Sequence, residues 1–450
     1  MPSARCDLVG VYCGTYHSCS ARGDCALRIL HVQQTLSRRH GGPSTVLPQL
    51  AKAQAAAGHD VVVATTNADV PTGVYHEGGW DVIDGSAVKV LYAPVEYHPL
   101  KISLGLMKYL RTAIPKFDIV HIHGLYRFPT TIAAFFCRWH KVPYVIRPHG
   151  TLDPYASGKS AAGRLRLKRL YSRWFVVPNL NAAAGIHYTA ERERERANYL
   201  QLRSPSFVIP NGFDSSTYKS TPQRGRLRKL WGVGDAPLVL FLGRIDAIKG
   251  LDLLVQAFDI VRRAEPKACL VIAGPDNDGY GREVRRWVSE YRLDQHVHMV
   301  GPLHGADVQQ ALVDADVFAL ISRTENFGVA PVEAMACGLP IVISDQVGVH
   351  PEVSRNGAGL VTTCDATEAS NALLTLLRDP ERRSAMGSAG REVVRTCYSW
   401  PAIVKALDAQ YEEIVRKRIG SDIVDSVQDS AENRRLRRSE GAPDRRSPAG

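Results

Sequence analysis

From residue 27 onward, short apolar runs alternate with glycine-bearing or polar loops and with longer segments of helical period. "LRILHVQ" is followed by "GGPSTVLPQLAKAQAAAGH" and then "DVVVATT", and similar runs recur at "DIVHIHG", "PYVIRPHG" and "GIHYTA". After "SFVIPNGFD" the scheme restarts with "APLVLFLGRID", "ACLVIAGPD", "HVHMVG", "DVFALIS" and "PIVISD". Short apolar runs bounded by turn residues read as buried strands. Strands alternating with helices imply parallel sheets that bind ligands beyond the carboxyl ends of the strands. Two such arrays predict an α/β protein of two doubly wound, Rossmann-like domains. The boundary is expected within residues 203–214, where Pro205, Pro210 and Gly212 interrupt the pattern, dividing the chain into 27–205 and 206–398. Residues 1–26 and 417–450 lack it and are expected to be disordered.

The stretch "ENFGVAPVEAMACGLP" places Glu325 and Glu333 around a helix start. Pro331 suits a first turn, and Gly338 and Pro340 suit a stop, predicting a helix from Ala330 to Cys337 with Glu325 in the loop before it. Even in one unbroken helix the two carboxylates would be ~12 Å apart on faces about 80° apart, so they are not a close acid/base pair. The amides of Phe327, Gly328 and Val329 lead into the helix, whose N-terminus carries partial positive charge, and Gly328 allows close backbone approach. Carboxylates beside an anion site can accept hydrogen bonds from sugar hydroxyls. In "LVLFLGRIDAIKGLDLLVQAF" a strand ends at Gly243, followed by Arg244, Lys249 and Gly250. Two cations there could neutralise a departing diphosphate without a metal.

Composition narrows the class. With 450 residues, 45% hydrophobic and 22% charged, the chain reads as an ordinary globular protein with room for two cores. No apolar run suggests a membrane span or a signal peptide, so a cytoplasmic location is expected. The nine cysteines include Cys6, Cys13, Cys19 and Cys25, whose spacing lacks the pairs of a zinc site, and five scattered ones that look buried. The net charge of +11 admits anionic partners without choosing among them. In "GRLRLKRLYSRW", Leu167, Leu170, Tyr171 and Trp174 share one helical face and Arg166, Arg169 and Arg173 another. That stripe is expected to pack on the core, although a basic amphipathic helix can also rest on an anionic membrane. "ERERER", residues 191–196, reads as a solvated helix face. "DND" at Asp276–Asp278 reads as turn chemistry; as a calcium loop it fails, because position twelve is Trp287.

These segments together resemble the retaining GT-B-fold glycosyltransferases marked by a Glu-x7-Glu motif (glycosyltransferase family 4, glycosyl transferases group 1), here Glu325 to Glu333. Bacterial enzymes of surface polysaccharides and glycolipids look most similar. The resemblance covers residues 27–416 and includes "GGPS", "RPHGTLDP" at 147–154, "IPNGFD", "LGRIDAIKG" and "SRTENFGVAPVEAMACGLPIV". It implies a GT-B fold with a cleft between an acceptor-binding and a donor-binding domain, closed by a helix at 399–416 that crosses back. Arg244 and Lys249 would grip the donor diphosphate, Glu325 would hold sugar hydroxyls beside the Phe327, Gly328 and Val329 amides, and Glu333 would bind ribose. Gly41 and Gly42 would let the first domain approach the donor, and His149 would meet the transferred sugar. His121 and His123 in "HIHG" stay open between structure and function, as do Asn211 and Gly212.

The implied activity is retaining, metal-independent and cofactor-free transfer of a hexose from a GDP- or UDP-linked donor to a glycan or lipid-linked acceptor. Peripheral contact with the inner face of an anionic membrane is compatible with it, and nucleic acid is not an expected partner. Two other readings are a nucleotide-sugar epimerase of the same fold and an inactive nucleotide-sugar-binding partner. The Glu-x7-Glu spacing speaks against the first, and the intact Arg244, Lys249, Glu325, Glu333 and His149 against the second.

Overall fold

The computed structural model describes residues 26–37, 42–70, 79–83, 85–153, 162–218 and 222–418. The expected extension up to residue 25, Gly41, and the expected tail from 419 lie outside them.

The first sheet has eight strands: β1 (Arg28–Thr35), β2 (Asp60–Thr66), β3 (Trp80–Val82), β4 (Lys89–Ala93), β5 (Ile119–His123), β6 (Tyr144–Arg147), β7 (Gly185–Tyr188) and β8 (Ser206–Val208), in the order β3-β4-β2-β1-β5-β6-β7-β8. All pairs are parallel except β3 with β4. The second sheet is parallel throughout: β9 (Leu238–Leu242), β10 (Cys269–Ala273), β11 (Val297–Gly301), β12 (Val317–Leu320), β13 (Ile341–Ser344) and β14 (Gly359–Thr362), in the order β11-β10-β9-β12-β13-β14. Strand order reverses between β1 and β5 in one sheet and between β9 and β12 in the other. In such sheets the crevice for a ligand opens at those points.

Strand residues alternate between two covered faces, as expected when helices flank a parallel sheet. On one face of the first sheet Leu30, Val32, Val120, Ile122 and Ile146 pack with Ala133 and Cys137 of helix Phe128–Trp139. On the other, Ile29, Ile119 and Val145 pack with Leu47 and Leu50 of helix Gly42–Ala56 and with Ile403, Val404, Leu407 and Tyr411. Those last four lie on the final described helix, residues 400–418, which returns to cover the first domain.

The division expected at 205/206 falls one strand early, because β8 hydrogen-bonds to β7 and completes the first sheet. Only three residues long and followed two residues later by Pro210, β8 is too short to announce itself by periodicity. Two linkers then run side by side: Phe213 N donates to Tyr398 O at 2.6 Å, and Phe213 bridges Ser399. Gly212 is required here, since a Cβ would lie 2.2 Å from the Trp400 ring. Asn211 accepts from buried Arg147 Nη2 at 2.6 Å, which ties the linker to β6.

Candidate functional site

The loop after β9 is shaped by local contacts. Asp246 accepts from Ile248 N at 3.2 Å and opens a single 3-10 turn, Ala247–Lys249. Gly250 then takes φ 65°, and a Cβ there would fall 1.9 Å from the carbonyl oxygen of Ile321 at the end of β12. Glycine therefore lets the β9 and β12 ends close together, and Lys249 Nζ pairs with Glu325 Oε2 across the reversal point. Both side chains are largely shielded, 13% and 22% exposed, so this pair is less screened than a surface one. Arg244 is more than half exposed, with Nη1 3.7 Å from Asp246 Oδ2.

Glu325 is held in extended backbone: its N donates to Gln346 O at 3.1 Å and its O accepts from Gly348 N at 2.9 Å. Helix Val329–Ala336 follows, starting one residue before the expected Ala330 and preceded by Gly328 at φ 95°. The Phe327 ring is buried edge-on against Tyr398, 5.4 Å between centroids, while Val329 is exposed. Glu333 Oε1 accepts from Tyr218 OH at 3.1 Å. Burial raises the Glu333 carboxyl above its ordinary pKa, and the Tyr218 hydrogen bond opposes that shift. Tyr218 is a residue that no motif or period in the sequence marks.

Across the interdomain cleft, His149 follows β6 with φ 54°, a left-handed conformation uncommon outside glycine. Gly150 N donates to Glu193 Oε1 at 2.5 Å. A Cβ on Gly150 would lie 3.3 Å from Asn326 Cγ, one residue from Glu325. Thr324 Oγ1 donates to Asp153 Oδ2 at 2.9 Å, and Asn326 Nδ2 to Thr189 Oγ1 at 2.7 Å. The loops carrying His149 and Glu325 thus meet. Burial, then the Arg147 charge, push the His149 pKa well below its usual value. Gly42 is the first residue of helix Gly42–Ala56, and a Cβ there would meet nothing.

The expectation of a solvated face for "ERERER" is overturned. Glu193 is buried and also accepts from Thr189 N at 2.7 Å and Thr189 Oγ1 at 2.8 Å. Arg192 reaches Gln346, and Arg196 reaches Asp153, Thr324 and Gln346, so this helix, Glu191–Ala197, faces the second domain. A signal was present: the segment begins at the carboxyl end of β7, where α/β sheets gather ligand and domain contacts. Asp276 accepts from Gly281 N at 3.1 Å at the start of helix Gly281–Glu290, a turn role.

Two family models match the two domains: "Glycosyl transferase 4-like domain" over residues 41–212 and "Glycosyl transferases group 1" over 224–393. The chain belongs to the GT-B glycosyltransferases. It is 33% identical over 228 residues to D-inositol 3-phosphate glycosyltransferase of Kineococcus radiotolerans, covering 47% of this chain and 52% of that protein. A GDP-mannose-dependent phosphatidylinositol monomannoside mannosyltransferase of Mycolicibacterium smegmatis is 32% identical over 217 residues, with 46% and 56% covered. The chain thus spans about half the length of these curated relatives. A more distant match, D-inositol 3-phosphate glycosyltransferase of Jonesia denitrificans, is 27% identical over 85% of this chain and 93% of that protein. Among solved structures, Anabaena HepE in complex with UDP and glucose superposes with TM-score 0.64 at 20% identity, covering 86% of this chain and all of that one. Sucrose-phosphate synthase of Thermosynechococcus elongatus gives 0.64 at 22% identity, over 87% of this chain and all of that one. These two share the fold.

The GT-B chain also departs from the expectation for "GRLRLKRLYSRW". Helix Ala162–Tyr171 runs into a π-helical turn, Ser172–Val176, which alters the register of the apolar stripe. Tyr171 packs inward, its hydroxyl 2.5 Å from Thr131 Oγ1, but Leu170, Trp174 and Phe175 are exposed. Phe135 and Trp139 of helix Phe128–Trp139 are exposed as well, and Arg166, Arg169 and Arg173 lie beside the first set in sequence. Among the described residues no helix is long and apolar enough to cross a membrane.

Proposed function

We propose that this chain is a retaining, metal-independent glycosyltransferase that moves a hexose from a nucleotide diphosphate sugar to a glycan or lipid-linked acceptor. One observation carries the reading: Lys249 and Glu325 are paired at the strand-order reversal of the second sheet, directly before a helix N-terminus, on a loop that meets the His149 loop. Arg244, Lys249 and the amides at Phe327, Gly328 and Val329 supply positive charge for a diphosphate. Glu325 takes sugar hydroxyls, Glu333 the ribose, and His149 meets the sugar from the acceptor side. Gly41 and Gly42 allow the first domain to approach the donor.

In this chemistry the bond between the anomeric carbon and the phosphate oxygen breaks, with its electron pair leaving on the diphosphate. The acceptor oxygen bonds to the anomeric carbon on the same face, and its proton passes to the departing phosphate oxygen. The transition state is oxocarbenium-like, so stabilising the leaving phosphate is the main catalytic demand and no enzymic nucleophile is required. A GDP-mannose donor is named for the Mycolicibacterium relative, and UDP is bound in the Anabaena structure, so both nucleotides belong in the test panel.

The exposed Trp174, Phe175 and Leu170 next to three arginines suit an anionic lipid surface, where aromatic rings sit at the interface and cations meet headgroups. This supports peripheral placement on the inner face of a membrane, near a lipid-linked acceptor. Co-sedimentation tests it: binding to phosphatidylglycerol vesicles that Trp174→Ser weakens is expected, and equal binding to neutral vesicles would reject it.

A further inference from the structure

The first sheet carries a buried polar array that sugar transfer as described above does not use. On the face covered by helix Gly42–Ala56 and the final helix, apolar Ile29, Ile119 and Val145 give way, toward the strand ends, to His31, His121, His123 and Arg147. His187 on β7 joins them. Ring nitrogens of His31, His121 and His123 come within 4.8 Å of one another. A cation is disfavoured there. All six nitrogens already face hydrogen-bond partners, and the buried Arg147 guanidinium adds positive charge that lowers each of these pKa values.

We propose that Gln54, His31 and His123 form a one-directional imidazole chain that sets the tautomer of His149, leaving its Nδ1 as an acceptor for a sugar or acceptor hydroxyl. This rests on the placement of His149 in the transfer site. His31 Nε2 lies 2.7 Å from Gln54 Oε1, His123 Nε2 lies 2.9 Å from His31 Nδ1, and His149 Nε2 lies 3.2 Å from His123 Nδ1. A neutral imidazole has one N–H and one lone pair, so each ring's choice dictates the next. The amide oxygen of Gln54 can only accept. His31 therefore donates from Nε2, which makes its Nδ1 the acceptor of His123 Nε2–H, and His123 Nδ1 the acceptor of His149 Nε2–H. Burial, the largest cause for all three, keeps the rings neutral and preserves this order.

A second chain in the same sheet shows the complete form. His187 Nε2 donates to Ile209 O at 2.8 Å, His121 Nε2 lies 3.4 Å from His187 Nδ1, and Tyr411 OH donates to His121 Nδ1 at 2.7 Å. It begins at a carbonyl and ends at a hydroxyl donor, both from the protein. The first chain begins at a carbonyl too, but among the described residues no protein group donates to His149 Nδ1. A hydroxyl is the group that would complete it, and hydroxyls are what a sugar presents. Gln54, His31 and His123 are positioning residues in this arrangement, acting only through His149.

The test uses the full chain with 15N-labelled histidine, the His149 signals being assigned by difference from His149→Gln. The nitrogen shifts separate protonated from unprotonated ring positions. Expected is protonated Nε2 and unprotonated Nδ1 in the native protein, with the other tautomer appearing in Gln54→Met and His123→Phe. Gln54→Glu keeps an accepting oxygen at His31 and should restore the native pattern. In a donor-turnover assay, Gln54→Met should lower kcat roughly 10–100-fold, as loss of orienting partners does elsewhere, with donor KM within about two-fold. A native His149 protonated at Nδ1, or a tautomer unmoved by both substitutions, would overturn the proposal. If the tautomer follows the chain while native protein turns over no donor, the transfer reading falls and the chain stands.

Discussion

Lys249 and Glu325 show how single residues shape this crevice. Each is shielded, each neutralises the other, and their backbones are fixed by Gly250 on one side and the Gln346–Gly348 segment on the other. The steric margin at Gly250 is negative, because a Cβ 1.9 Å from the Ile321 oxygen cannot be accommodated at φ 65° without moving a strand end. Gly250→Ala should destabilise the fold by roughly 2–4 kcal/mol, combining strain with lost contacts, as read by urea denaturation. Glu193 gives a second prediction. Its carboxylate accepts from Gly150 N, Thr189 N and Thr189 Oγ1 in a buried setting, so Glu193→Leu leaves three donors unsatisfied. A loss of about 2–4 kcal/mol is expected, whereas Glu191→Leu on the exposed side of the same helix should stay within about 0.5 kcal/mol.

Among elements, the strands of the first sheet combine two environments in one length. Their starts are apolar and their ends carry neutral histidines, with His31 pushed down to about 4 and His121, His123, His149 and His187 also well below their usual value, burial being the leading cause in each. A depressed histidine pKa means the unfolded chain binds the proton more readily than the folded one. The stabilisation is therefore complete above about pH 6.5 and is lost as pH falls toward 4, and His31 alone accounts for about 3 kcal/mol. Thermal unfolding should show Tm dropping across that window, and His31→Gln should flatten the drop. Glu333 acts with the opposite sign: its raised pKa favours the fold at acid pH and costs stability once it ionises. Strands and helices were legible in the sequence because buried parallel strands appear as apolar runs between turn residues. The helix bearing Glu333 was legible from Pro331, Gly338 and Pro340. The histidine chains were not, since His31, His123, His149 and Gln54 lie on four elements and only the sheet order brings them together. "ERERER" misled because charge alternation looks the same whether the partner is water or another domain.

For the whole molecule, two sheets are joined by paired linkers and by a modest set of polar contacts: Thr324 with Asp153, Asn326 with Thr189, and Arg196 with both loops. Contacts of this kind suit a cleft that opens and closes, since inter-domain motion is the default when the interface is not large and apolar. Arg196→Ala should shift the balance toward the open form, seen as a larger radius of gyration by small-angle X-ray scattering. An unchanged radius would mean that the linkers alone set the domain angle. The final helix limits the motion at its base, because Ile403, Leu407 and Tyr411 remain buried in the first domain. The broad architecture, two doubly wound domains, followed from two repeats of one hydrophobic pattern; the angle between them depends on side chains far apart in the sequence. In the proposed reading, this geometry serves donor chemistry at the Lys249–Glu325 crevice. The most direct measurement is release of GDP or UDP from a panel of nucleotide hexoses, with glycan and lipid-linked acceptors, by native protein and by Glu325→Gln and Lys249→Ala. Acceptor-dependent release from one donor is expected, reduced about 100-fold or more in both variants while the fold is retained. Release from no donor, or equal rates in all three proteins, would contradict it.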